Sequence, residues 1–247
     1  MTSSDPADLA NHDAHAAAQI AALNGPAGHL AHDFNNLLAA ISGSATLIEL
    51  SEPSPEIIRH LRNIQIATRR AAGLMQQMLA LSSRTDGLME KIDVAALLKE
   101  LAHDSSKLLG TSHLISVFTT EDLPLLTADR AQVRQVVVAL LENSRDAMPA
   151  GGTIFITAHL LAPSAARLDR QIAISVKDAG TGMRPEVRAQ IFQPFFSTKP
   201  KGKGTGLAMA IVLRVLQRHR GTIQIQTELG NGSQVTCLFP LDQPAAE

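Results

Sequence analysis

The chain has 247 residues, 45% of them hydrophobic, and a formal net charge of −1. That is enough apolar material for one large domain or two modest ones, and too little net charge to provide a global field for nucleic acid or anionic lipid. The single cysteine, Cys237, excludes an internal disulfide framework, and with Val235, Leu238 and Phe239 beside it a packed strand thiol is expected. Tryptophan and tyrosine are both absent, which removes the usual base-stacking surface for single-stranded nucleic acid. The N-terminus is acidic, with no basic region or apolar core for export. No uninterrupted apolar run approaches the roughly 18 residues that span a bilayer. The expectation is a soluble, cytoplasmic protein with no nucleic-acid partner and no membrane insertion.

Residues 1–24 are rich in Ala, Asp, His and Ser and read as a flexible N-terminal tail. Asn24-Gly25-Pro26 breaks the chain and supplies a proline suited to a first helical turn. From there Leu30, Phe34, Leu37, Ile41, Ala45 and Ile48 step by three or four. "SEPSP" (51–55) interrupts this pattern, which resumes at Ile57, Leu61, Ile64, Ala71, Met75 and Met78, with only Thr68 polar in the register. Two helices joined by a short turn form an antiparallel hairpin over 25–86. One hairpin cannot cover its own apolar seam, so a homodimer closed as a four-helix bundle is expected.

After "SSRTDG" (82–87) the pattern changes, and residues 88–243 read as a second domain. Helices are predicted near 94–107, 129–148 and 206–219. Strands are predicted near 113–119, 153–160, 171–177, 222–228 and 234–240, the last two joined at Gly230-Asn231-Gly232 as a hairpin. Strands outnumber crossover helices, so the fold class is an α+β sandwich rather than a doubly wound parallel sheet. No internal repeat is present.

Three stretches of this second domain carry chemistry. In the 129–148 helix, Val133, Val137, Leu140 and Met148 form an apolar face while Ala139, Glu142, Asn143 and Asp146 share another. "VKDAGTGM" (176–183) ends a strand on Asp178, a hydrogen-bond acceptor, and continues through Gly180 and Gly182, where the backbone can pass close to a flat ligand. "KGKGTGL" (201–207) sets Gly202, Gly204 and Gly206 ahead of an amphipathic helix, so that backbone N–H groups and a helix N-terminus can bind phosphate; Lys199, Lys201 and Lys203 add positive charge. Each stretch has an ordinary reading as a solvated helix face, a turn or a loop. Their order is more specific than any one of them.

An asparagine-bearing helix, then Asp-x-Gly-x-Gly, then "IFQPFFSTK" (191–199), then Gly-x-Gly-x-Gly-Leu is similar to the ATP-binding domain shared by histidine kinases, gyrases, the Hsp90 chaperones and the MutL repair proteins. "HDFNNLL" (32–38) on a helical hairpin resembles the phospho-acceptor box of sensor histidine kinases, in the branch of the nitrogen-regulation and hybrid kinases. The resemblance covers about 25–243. It implies a Bergerat-type α/β sandwich that binds ATP and Mg²⁺, with His32 as the nucleophile that attacks the γ-phosphate. It makes Asp33 the acceptor of the other ring proton and gives Asn36, one helical turn from His32, the phosphatase role toward a phosphorylated aspartate. Asn35 receives no catalytic role. Asp178 would accept the adenine amino group, with Gly180 and Gly182 giving room to the base, and Asn143 would hold Mg²⁺. Lys199, Gly202, Gly204, Thr205, Gly206 and Leu207 would close over the phosphates, and Phe195 and Phe196 would anchor that segment to the core.

Two positions depart from the family pattern. Ala139 stands where a second asparagine is usual, and where the ATP-hydrolysing relatives carry their glutamate base; this argues against a gyrase or MutL type of ATPase. Ala179 replaces an asparagine of the first glycine box. No sensor domain is seen before the hairpin and no receiver domain after it, so input is expected through the tail, a separate sensor or upstream protein. The reading is a dimeric histidine kinase that passes its phosphoryl group to the receiver domain of a response regulator, and is also a phosphatase of it. The alternative is an ATP-independent histidine phosphotransferase, a phosphorelay module with a repurposed kinase-like domain. A serine kinase or anti-sigma factor with the same nucleotide fold gives no reason for the His32 hairpin.

Overall fold

A computed structural model describes residues 27–51, 53–82, 88–109, 112–163, 169–199 and 204–241. Two helices come first, α1 (Ala27–Glu49) and α2 (Pro55–Ser82). The two pack on each other, and Ala45 and Leu61, each 3% exposed, are buried, as is Thr68, whose hydroxyl donates to the Ile64 carbonyl at 2.8 Å. Gln65 Nε2 donates across the pair to Glu49 Oε2 at 2.9 Å. Leu37, Ile41 and Ile48 of α1 and Ile57 and Ile64 of α2 remain exposed, so a single pair of helices does not cover its apolar surface.

The rest of the chain runs β1 (Glu90–Ile92), α3 (Val94–Leu109), β2 (His113–Thr119), β3 (Leu126–Ala128), α4 (Arg130–Ala147), β4 (Gly152–Leu161), β5 (Gln171–Asp178), α5 (Pro185–Gln190), α6 (Ala208–Arg218), β6 (Thr222–Thr227) and β7 (Ser233–Pro240). Five strands form one sheet in the order β2-β4-β5-β7-β6, and β1 pairs with β3 in a separate antiparallel ribbon. Only β2 and β4 run parallel within the large sheet. A parallel pair needs a crossover, and α4 lies in the connection that supplies it. This is the mixed helix and sheet architecture expected for the second domain.

The core lies between one face of the sheet and helices α3, α4 and α6. Leu97, Leu98 and Leu101 of α3, Val133, Val137 and Leu140 of α4, and Ile211, Val212 and Leu216 of α6 meet Ile154, Ile156, Ile172 and Ile174 of the central strands. The apolar stripe expected on α4 is therefore the face it buries. Cys237 is fully buried in β7, which pushes its thiol up to about 12 and leaves it inert, as a packed strand thiol should be.

Several elements escaped the sequence pattern. β1 and β3 have three residues each, too few for alternation to register. α5 is a six-residue turn of helix opened by Pro185, inside a stretch whose apolar residues are sparse. The helix expected from residue 206 begins at Ala208, because Gly206 takes a φ of +67° and Leu207 serves as the cap.

Candidate functional site

The C-terminal end of α4, the end of β5, the loop after it and the segments flanking α6 close around a cavity of about 340 Å³. α4 starts at a well-made cap, with the Asp129 carboxylate accepting from Gln132 N–H at 3.0 Å, and its last turns bring Glu142, Asn143 and Asp146 to the cavity wall. Ala139 is 9% exposed and packs in the core instead of lining the cavity, so the face expected to hold all four residues is divided between core and cavity.

Asp178 ends β5 and is 7% exposed. Its Oδ1 accepts from the backbone N–H of Gly180 at 2.9 Å and of Ser233 at 3.2 Å, and its Oδ2 accepts from Ser144 Oγ at 3.0 Å. A buried carboxylate held by three donors has a fixed orientation. Sequence reasoning passed over Ser144, although it continues the inward stripe of α4 four residues after Leu140 and is itself 4% exposed. A polar residue in an apolar register was the available signal.

The two glycines after Asp178 do different things. Gly182 lines the cavity with a φ of +62°, and a Cβ there would lie 1.9 Å from the Glu228 carbonyl oxygen. The β6–β7 turn presses on this loop, and Gly230 N–H donates to the Thr181 carbonyl at 2.8 Å. Gly180 does not line the cavity; a Cβ on it would stand 2.7 Å from both the Cβ and the carbonyl oxygen of Ala147. Room at Gly180 is thus needed by α4 rather than by a bound base.

Thr205, Gly204 and Gly206 line the opposite wall with Ala208 and Met209 of the first turn of α6. No side chain caps α6, so its first N–H groups remain available for an anion. Thr205 Oγ1 accepts from Leu207 N–H at 3.2 Å, and Leu207, 1% exposed, is buried behind the wall. Phe196 lines the cavity, but Phe195 is 61% exposed with a φ of +68°, so it does not anchor this segment to the core. Phe192, 9% exposed, is the buried aromatic here.

Lys199 reaches the cavity and forms an ion pair with Asp146. Arg145 binds the other oxygen of the same carboxylate through Nε at 2.8 Å and Nη2 at 2.7 Å. Burial alone would raise the Asp146 carboxyl; the bonds from Lys199 and Arg145 outweigh it and hold the group below the usual carboxylate range. Glu142 and Asn143 give this wall hard oxygen donors that fit a magnesium ion keeping most of its ligands as water and phosphate. Among the described residues no three His, Cys, Asp or Glu side chains form a protein-only metal site.

His32 and Asp33 fall within α1, but their side chains lie outside the described residues, as does Gly202. Asn36 is exposed on α1. No described helix is long and apolar enough to cross a membrane.

Residues 128–243 match the model of the histidine kinase-, DNA gyrase B- and HSP90-like ATPases. The chain is 37% identical over 227 residues to sensor kinase CckA of Brucella abortus, covering 87% of this chain and 24% of that protein. It is 31% identical over 221 residues to sporulation kinase C of Bacillus subtilis, covering 87% and 48%. It therefore spans between about a quarter and a half of these relatives' lengths. A crystal structure of full-length ShkA in complex with AMPPNP has the same fold, with a TM-score of 0.74 at 24% identity over 90% of this chain and 47% of that one. A mycobacterial sensor histidine kinase, MprB, superimposes with a TM-score of 0.52 at 21% identity over 62% and 97%. Its ATPase domain and its relatives make this chain a member of the sensor histidine kinase family.

Proposed function

We propose that the chain phosphorylates its own His32 with Mg-ATP and passes the phosphoryl group to an aspartate on the receiver domain of a response regulator. The observation that carries this reading is the convergence of Asp178, Asn143, Lys199 and the Gly204–Gly206 segment on one cavity, in a chain whose α1 bears His32. In this reading residues 1–24 are a tail, 25–86 a dimerisation and phosphotransfer hairpin, and 88–243 the catalytic domain.

Adenine sits against Asp178, which Ser144 and two backbone N–H groups hold ready to accept from the exocyclic amine. The phosphates lie toward Lys199, Thr205 and the N-terminus of α6, where cationic and N–H donors collect. Asn143 would hold Mg²⁺, which when bound neutralises phosphate charge. His32 attacks the γ-phosphorus as neutral imidazole, the bond from that phosphorus to the bridging oxygen breaks and ADP leaves, and Asp33 takes the proton from the other ring nitrogen as positive charge develops. Asn36, four residues on, orients water against a phosphoaspartate for the phosphatase function, which releases inorganic phosphate. The exposed Leu37, Ile41 and Ile48 of α1, with Ile57 and Ile64 of α2, support a homodimer whose two hairpins close as a four-helix bundle.

The core position of Ala139 favours a second reading, a relay module that receives its phosphoryl group at His32 from another protein, because the amide usual there is missing beside Asn143. Incubation with γ-labelled ATP and Mg²⁺ separates the two. The wild type should acquire an acid-labile, alkali-stable label and His32→Ala none. A labelled His32→Ala protein overturns the assignment of the site. An unlabelled wild type that accepts phosphate from a phosphorylated receiver moves the protein to the relay class.

A further inference from the structure

Among the described residues two cations line the cavity, and both are bound to one carboxylate. Asp146 holds Lys199 through Oδ2 and Arg145 through Oδ1, with side chains 26%, 32% and 35% exposed respectively. The contact with Lys199 joins residues 53 positions apart, and the chain makes space for it. A Cβ at Gly204 would lie 2.9 Å from Lys199 Cδ, so the lysine stem passes directly over that glycine on its way to Asp146, while Lys199 N–H is fixed on Ser197 Oγ at 3.2 Å. The lysine is thus directed to a carboxylate at the edge of a site where a polyphosphate would need it.

We propose that Asp146 is an internal competitor for Lys199, a counter-ion that a polyphosphate must displace, and that this one carboxylate sets how strongly the site prefers phosphorylated nucleosides over bare ones. The proposal deepens the nucleotide reading of the cavity and rests on it. Its physics is a simple exchange of anions. Lys199 leaves a partly exposed carboxylate and joins a phosphate of higher charge, while Asp146, left unpaired by Lys199, repels the newcomer. Both effects weaken phosphate binding in the wild type. Removing the carboxylate's charge relieves both, and for partly solvated pairs the combined gain amounts to about three- to ten-fold in affinity.

The test is calorimetric titration of the full chain with ATP, ADP and adenosine, with and without Mg²⁺, in the wild type, Asp146→Asn, Lys199→Met and the double variant. Asp146→Asn should bind ATP and ADP about three- to ten-fold more tightly and leave adenosine unchanged, and the gain should be smaller on the Lys199→Met background, where only the repulsion by Asp146 remains to be relieved. An unchanged affinity for adenosine guards against a variant that merely folds differently. Weaker ATP binding by Asp146→Asn seen only with Mg²⁺ would make Asp146 a metal ligand and overturn the proposal. A gain of equal size with and without Lys199 would overturn it too. Inorganic triphosphate separates this idea from the reading beneath it. If the wild type binds no ATP, the nucleotide reading fails, whereas a Lys199-dependent gain in triphosphate binding by Asp146→Asn still supports the counter-ion.

Discussion

Three acceptor positions of Asp178 are taken by Gly180 N–H, Ser233 N–H and the Ser144 hydroxyl, so the carboxylate cannot turn and its remaining lone pairs have a fixed aim. Losing the carboxylate should therefore damage folding and binding together. Asp178→Ala leaves two backbone donors, one buried and one half-buried, without this partner and is expected to lower stability by about 2–4 kcal/mol in urea denaturation, with nucleotide binding lost. Ser144→Ala removes one hydrogen bond to a charged group. It should cost about 1.5–3 kcal/mol and weaken nucleotide binding without abolishing it. Equal nucleotide affinity in Ser144→Ala and wild type would show that Asp178 needs no help in orienting. Gly182 offers a steric counterpart. With its φ of +62° and the Glu228 carbonyl where a Cβ would be, Gly182→Ala must push the β6–β7 turn away from the loop. A loss of about 2–4 kcal/mol is expected from overpacking and left-handed strain. Gly230→Ala has a similar φ of +83° but open space around it, so only the strain of about 1–2 kcal/mol applies. Thermal melts of the two variants should differ accordingly.

At the scale of elements, α4 and α6 carry opposite walls of the cavity and are tied together at their far ends by His219. This fully buried imidazole accepts from Asp129 N–H at 3.0 Å through Nε2, which leaves the proton on Nδ1 to donate to the Val215 carbonyl at 2.8 Å. Phe239 packs edge-on against the ring, 5.8 Å between centroids. Burial pushes the imidazole below its ordinary value, against the opposing pull of the Val215 carbonyl and the Asp129 carboxylate. A histidine whose folded value is depressed binds its proton more readily in the unfolded chain. Its contribution is full above the unfolded value, near 6.5, and is lost as the pH falls from there toward the folded value. Stability of the wild type should thus decline more steeply between about pH 7 and 5.5 than that of His219→Gln, which has no proton to take up there. Parallel slopes would remove His219 as the titrating group. Much of this level could be read from the chain. The long helices and strands after residue 88 appear within about two residues of their expected limits, because periods of 3.6 and 2 are local properties. Ser144 against Asp178, Gly180 against Ala147 and Lys199 against Asp146 could not be read, since each joins segments whose proximity is created by the β5–β7 pairing and the packing of α4 on the sheet.

At the scale of the molecule, the unsolved surface is on α1 and α2. Leu37 is 61% exposed, Ile41 48% and Ile48 46%, and these fall at intervals of four and seven residues, so they form one stripe along α1. Ile57 and Ile64, at 45% and 42%, extend a stripe on α2 that also holds Leu61 and Thr68, both buried. Burial of such a surface stabilises by roughly 25 cal/mol per Å² of apolar area removed from water, and a second hairpin with the same stripe is the partner that a self-complementary interface requires. A charge placed in the middle of that seam would be desolvated without an opposite charge to meet it, since neither stripe carries one. The variant Ile41→Glu/Ile64→Glu should therefore run as a monomer in light scattering, under conditions where the wild type runs as a dimer. Among the described residues the nucleotide cavity is lined only by residues after 139, so the monomeric variant should keep its affinity for ATP within about two-fold. A wild type that is itself monomeric removes the bundle, and a variant that loses ATP binding along with the dimer shows that the hairpin pairing supports the cavity.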